Sequence, residues 1–395
     1  MRLTGRNVIT TVLCNQYSWF MFFCLKTKQR PYVLLFLCLK IGLAYYRVLM
    51  SKNITKERIS KRLDYIDATK GVAILCITFL HFEQEVIPTW LNTWIGMFMI
   101  SAFYVTSGWV TGISNKPITA KELFKKRIRQ LGIPYLWFSL LIIIFDVLWV
   151  AFGLMESNIL FRDIYKTIVL RGIGTLWFLP VLLIGEYIFT LIKNSKKKWM
   201  WAIIGLGTTL LVNYAYNSIW FPMRDNSELY KIIDAPMQPI VRGLYAWPII
   251  AVGYILGKRW GKSILEVKKT KLLSISVLLF AISFILIIKP PFNIYYINGL
   301  LSNTLPAIAF MCLFAVFRNS VIERFFTYWG VNSLIMMCTH FSITMEVLMA
   351  FDRHVLHHTI FEGPRTIINF VICVLLTYPL VWLFNNKLKF MLGKK

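Results

Sequence analysis

The feature that most constrains this chain is a succession of apolar runs, each near the roughly 20 residues a helix needs to cross a bilayer. Ten follow the basic stretch at 51–62, at about 71–88, 91–113, 133–153, 174–192, 199–217, 240–257, 272–288, 299–317, 327–350 and 367–385. In lipid the backbone must satisfy its own polar groups, so runs of this length predict helices rather than strands or loops. Composition agrees, with 57% hydrophobic residues against 16% charged. The two or three soluble domains that 395 residues would otherwise allow are excluded.

The net charge of +26 would suggest nucleic acid in a soluble protein, but here Lys and Arg fall between the apolar runs instead of forming one patch. No nucleic-acid partner is expected. Taken alternately, the connecting segments hold 28 basic residues on one side and 8 on the other, or 9 with Arg242 at a span edge. Cytosolic loops carry such an excess. The expected fold is therefore an all-α polytopic membrane protein with about ten transmembrane helices and both termini cytosolic. Its transmembrane domain runs over 63–386, followed by a basic tail at 387–395.

Residues 1–62 read as an N-terminal extension and a basic cytosolic segment. Apolar runs at roughly 7–25 and 31–49 fit either a helical hairpin or an extension upstream of the natural start. The second reading is preferred, because Met50 directly precedes a polar segment suited to initiation. A cleaved signal peptide fits poorly, since no small-residue cleavage pattern follows the first run.

Ionisable side chains inside spans are costly, about 2.5–3.5 kcal/mol for an acid near the centre, and are site candidates by default. They are His81, Asp146, Glu186, His340 and Glu346. Lys70 and His81 bracket ten residues in the first span. Eleven helical steps put both on one face, about 16 Å apart along the axis. One end suits a phosphate, and the other suits a reacting centre that needs a base. Glu85, at i+4 from His81, is placed to orient or charge-stabilise the imidazole. The plainer alternatives are a topogenic lysine, an interfacial acid and a hydrogen-bonded packing histidine. His340, mid-depth in the ninth expected span, is a candidate for a second catalytic or acceptor-binding role, with core hydrogen bonding as its plainer use. His354, His357 and His358 lie in a loop, where solvation is the default.

Lys125, Lys126, Arg127 and Arg129 immediately precede a helix expected to start near Pro134, where a proline suits the first turn. They are placed to meet anionic phosphates, though topology and lipid headgroups would explain them too. Trp177 reads as an interfacial anchor, and Glu186 lies about 13 Å deeper by helical rise. The seven cysteines, Cys14, Cys24, Cys38, Cys76, Cys312, Cys338 and Cys373, show no CxxC or Cys/His ligand spacing, so no metal is expected. The signatures of serine hydrolases, P-loop ATPases, zinc proteases and Rossmann dehydrogenases are absent.

The segment LDYIDATKGVAILCITFLHF, with SAFYVTSGWVTG, FKKRIRQLGIPYLWF, LWFLP (Leu176–Pro180) and GVNSLIMMCTHF ending beside His340, resembles the acyltransferase-3 family of integral-membrane O-acyltransferases. The likeness covers about Leu63 to Phe384. Two positions depart from the family pattern: Lys70 stands where Arg is commoner, and Lys126-x-x-Arg129 replaces Arg-x-x-Arg. The resemblance implies transfer of an acyl group, usually acetyl, from cytosolic acyl-CoA to a hydroxyl of a carbohydrate or glycolipid. Acyl-CoA would be a donor substrate, with no permanently bound cofactor, and the cell membrane is the implied location.

The expected mechanism has Lys70, Lys126, Arg127 and Arg129 holding the CoA phosphates while His81 takes the hydroxyl proton. Glu85 or Glu186 would support the imidazolium. The rival from another class is a transporter or flippase for a glycan or anionic substrate. Against it stands the absence of an inverted repeat or of paired interrupted spans.

Overall fold

The computed structural model describes residues 63–82, 86–114, 116–153, 155–224, 227–261, 263–288, 295–349 and 364–394. The extension at 1–62, Glu85 and the loop histidines His354, His357 and His358 lie outside these residues. Secondary structure among the described residues is entirely helical. The helices are α1 (Asp64–Phe82), α2 (Thr89–Ser114), α3 (Ala120–Arg127), α4 (Ile133–Ala151), α5 (Ser157–Ile168), α6 (Phe178–Asn194) and α7 (Lys198–Ala215). They continue with α8 (Glu228–Trp260), α9 (Lys269–Ile288), α10 (Tyr295–Val316), α11 (Val321–Val331), α12 (Ser333–Thr339) and α13 (Pro364–Asn386).

Among the described residues, eight helices are long and apolar enough to span a bilayer, and α11 with α12 and its continuation forms a ninth, bent by 60°. The count is nine where ten were expected. The difference is α7, which is helical at the expected place but less apolar than the spans, because it carries Lys198, Gly205, Gly207, Thr208, Thr209 and Asn213. The ninth expected span is not straight. It breaks at Asn332, whose side chain donates to Tyr328 O at 2.9 Å and accepts from Asn385 of α13 at 2.8 Å.

The basic segment before Pro134 is not a loop. Thr119 caps α3 through a reciprocal capping box with Glu122, and the chain then runs through a π turn, Ile128–Gly132, directly into α4. Pro134 therefore sits inside a continuous 32-residue helix, Ala120–Ala151. The wider π turn accommodates its missing N–H and redirects the side chains around it.

Two close crossings hold the bundle. On α2, Gly108 and Gly112 meet the backbone of α8, where Gly253 and Gly257 in turn meet Val105 and Trp109 of α2. Gly71 of α1 and Gly330 of α11 lie against each other's helix in the same way. Lipid gives no hydrophobic drive between helices, so backbone approach at small residues supplies much of the association. By contrast, α9 leaves Val277, Leu278, Ile285 and Ile288 exposed, as expected for a lipid-facing helix.

Candidate functional site

The last turn of α1 meets the start of another π turn, His340–Met345, which follows α12. The two intramembrane histidines, 259 residues apart in sequence, come together there. His340 Nε2 lies 3.3 Å from His81 Nδ1, and the ring centroids are 5.1 Å apart. Each Nδ1 is also 2.7 Å from the carbonyl oxygen four residues back on its own helix, Ile77 O for His81 and Met336 O for His340.

A carbonyl only accepts, so in the neutral rings both protons are placed on Nδ1 and both Nε2 atoms hold lone pairs. His340 Nε2 then faces the Nδ1–H of His81, while His81 Nε2 remains a free base. His340 is fully buried, and His81 is partly exposed. Phe341 packs on the His81 ring with a centroid distance of 4.8 Å.

A short 3-10 turn, Gly174–Trp177, braces this centre. Thr175 Oγ1 donates to Met337 O at 2.5 Å, three residues before His340. Gly174 lies so close to Phe341 and Ser342 that a Cβ there would collide with both. Its positive φ of 50° also favours glycine.

Three cavities lie in the bundle; Met337 lines the first, and Phe341 and Ser342 line the second. The first, about 250 Å³, is lined by Lys70, Ser107, Arg127, Glu186 and Met337 and lies toward the basic end of the bundle. Its cations are both paired. Lys70 Nζ contacts Asp67 Oδ1 at 3.1 Å. Arg127 grips Glu186 through Nε and through a terminal nitrogen at 2.5 Å, and it also donates to Gln130 at 2.8 Å. Ser107 adds a hydrogen bond to the Glu186 carboxylate.

The second cavity, about 560 Å³, has polar walls that include Asp146, Glu156, Asp163, Lys166 and Glu346. Lys166 pairs with Asp163 at 2.7 Å. The third and largest, about 690 Å³, is lined by Ser101, Tyr104, Trp177, Arg242, Tyr245 and Asn303 among others.

The expected site residues thus divide. His81 and His340 meet, and Lys70 and Arg127 share a cavity. Glu186 is held by Arg127 and Ser107, and no described hydrogen bond or ion pair joins it to either imidazole. Lys126 is exposed on α3. Arg129 points away toward the C-terminal segment, where its Nε donates to Gly393 O at 3.0 Å. The four cations therefore form no single cluster, because helical geometry spreads consecutive residues about 100° apart. Arg242, counted above only as a charge at a span edge, lines the largest cavity. Its single sequence cue was an arginine within an apolar run.

An acyltransferase-domain profile of the acyltransferase-3 family matches residues 63–386. The chain belongs to the acyltransferase-3 family and is a multi-pass membrane acyltransferase. No curated protein and no solved structure matches it.

Proposed function

We propose that the chain is an O-acyltransferase that moves an acyl group, most simply acetyl, from cytosolic acyl-CoA to a hydroxyl of a carbohydrate or glycolipid in the cell membrane. The observation carrying this reading is the histidine pair, with the Nε2 lone pair of His81 left free. The basic end of the bundle, where Lys70 and Arg127 lie, faces the cytosol in this reading.

In the reaction His81 Nε2 accepts the proton of the acceptor hydroxyl as its oxygen attacks the thioester carbon. The new C–O ester bond forms, the C–S bond breaks, and His81 returns the proton to the departing CoA thiolate. During the step His81 is an imidazolium whose Nδ1–H is directed at Ile77 O and His340 Nε2. That is the supporting role expected of Glu85 or Glu186, and His340 fills it here as a positioning residue. General-base assistance of this kind is worth about 10²- to 10⁴-fold. The same Nε2 lone pair could instead attack the thioester to give an acyl-histidine.

Lys70 has one partner, Asp67, so ammonium N–H groups remain for a donor phosphate. Arg127 already makes three contacts and acts chiefly to hold the cavity wall. Lys126, exposed on α3, supplies a second charge for the donor where its nucleotide end leaves the bilayer.

Calorimetry of the purified protein in nanodiscs with acetyl-CoA, paired with transfer of labelled acetyl to membrane glycans, tests the proposal. Saturable acetyl-CoA binding together with label in the glycan is expected. Glycan translocation without either result would favour the transporter instead.

A further inference from the structure

The 690 Å³ cavity falls within the range of about 300–1,000 Å³ common for small-molecule sites. It lies toward the end of the bundle opposite the basic one. Thr93 on its wall is in the first turns of α2, and Gly299 and Ser302 are near the start of α10. Two observations link it to the histidine centre. Trp177 on its wall belongs to the same 3-10 turn that grips Met337 and abuts Phe341. Gly96, also on the wall, packs against Leu80, the neighbour of His81.

The charge in this cavity is unusual. The Arg242 guanidinium stacks on Trp177 at 4.3 Å from the ring centroid, and no carboxylate among the described residues pairs with it. Asp234, two turns earlier on α8, supports the Arg242 charge through space without forming an ion pair with it. Its oxygens already accept from Tyr216 at 2.7 Å, Trp220 at 3.1 Å and Gln238 at 2.5 Å.

A cation held within a span without a carboxylate in contact is unfavourable, and the cation–π contact and the distant charge of Asp234 offset only part of that cost. Nearby, Asn303 donates to the Tyr245 hydroxyl at 2.8 Å, yet its other amide atom, Oδ1, is buried without a partner. An unpaired guanidinium beside an unsatisfied amide, facing a large void, has the chemistry of a site for an anion that also carries hydroxyls.

We propose that this cavity is the acceptor site and that the acceptor is anionic, with a carboxylate or phosphate seated on Arg242 and a hydroxyl donating to Asn303. The proposal rests on the acyl-transfer reading above and specifies the substrate class for it.

The test starts from native membranes containing the wild-type protein and radiolabelled acetyl-CoA. The labelled product is expected to bind an anion exchanger. After mild acid hydrolysis, retention identifies an acid-stable anion on the sugar, a carboxylate or a phosphate ester, and loss of retention identifies a labile lipid-linked phosphate. Either result supports the proposal, whereas an uncharged labelled product overturns it and leaves acyl transfer standing. No labelled product at all would overturn the acyl-transfer reading, and this proposal with it.

With acceptor extracted from those membranes, Arg242→Gln should raise the acceptor KM by about tenfold or more, while kcat and the acetyl-CoA KM stay within about twofold. Arg242→Lys should recover part of the loss. The melting temperature of Arg242→Gln should hold or rise, since a charge within a span that no carboxylate contacts has been removed. An unchanged acceptor KM overturns the assignment. If Arg242→Gln does not fold, Asn303→Ala provides the same comparison, with a smaller KM rise expected and an unchanged KM counting against the site.

Discussion

Arg127 and Arg242 are both guanidinium groups held within long helices, each on a cavity wall, and their surroundings differ in charge pairing. Arg127 is paired with Glu186, a carboxylate only 4% exposed that also accepts from Ser107. Arg242 has an aromatic face and open volume. In a low-dielectric setting, that difference separates a strut from a receptor. A satisfied ion pair fixes two helices relative to each other and has little capacity left for a ligand. An unsatisfied cation keeps its binding capacity for one. By the same criterion Lys70, with one partner and spare N–H groups, lies between the two.

The sharpest way to break this comparison is to remove the carboxylate from the strut. Glu186→Ala leaves Arg127 uncompensated and should cost about 3–5 kcal/mol, read as a large drop in melting temperature in detergent. A stability change as small as that of Arg242→Gln would mean that pairing does not distinguish the two arginines. Ser107→Ala removes a single hydrogen bond to the same carboxylate. Its expected cost is about 1.5–3 kcal/mol in chemical denaturation, with acceptor selectivity untouched. The smallest effect belongs to Lys126→Ala on the exposed face of α3, where stability should move by no more than about 0.5 kcal/mol. A modest, salt-sensitive rise in the acetyl-CoA KM is expected from this variant, and a KM flat across ionic strength would remove Lys126 from the donor site.

Much of the helical layout was legible before the structure, because apolar length and loop charge report directly on spanning segments. The exceptions have physical causes. The π turns at Ile128–Gly132 and His340–Met345 leave no mark in hydropathy, so the run from α3 into α4 read as a loop followed by a helix. The bend at Asn332 depends on Asn385, which is 53 residues away.

In the site, His81 and His340 stood out because ionisable groups in lipid are rare, but their meeting is a tertiary fact that spacing along one helix cannot supply. Glu186 shows the converse. Its depth made it a candidate to support an imidazole, and its partner proved to be Arg127 instead. Arg242 was hidden by the loop-charge count itself, which treats an arginine near a span edge as topology.

The central claim is that His81, backed by His340, is the base for acyl transfer. Single-turnover transfer of labelled acetyl from acetyl-CoA to extracted acceptor, comparing wild type with folded His81→Gln, tests it most directly. A fall of at least about 100-fold, with acetyl-CoA binding retained, is the predicted result. Transfer at the wild-type rate in that variant would contradict the account.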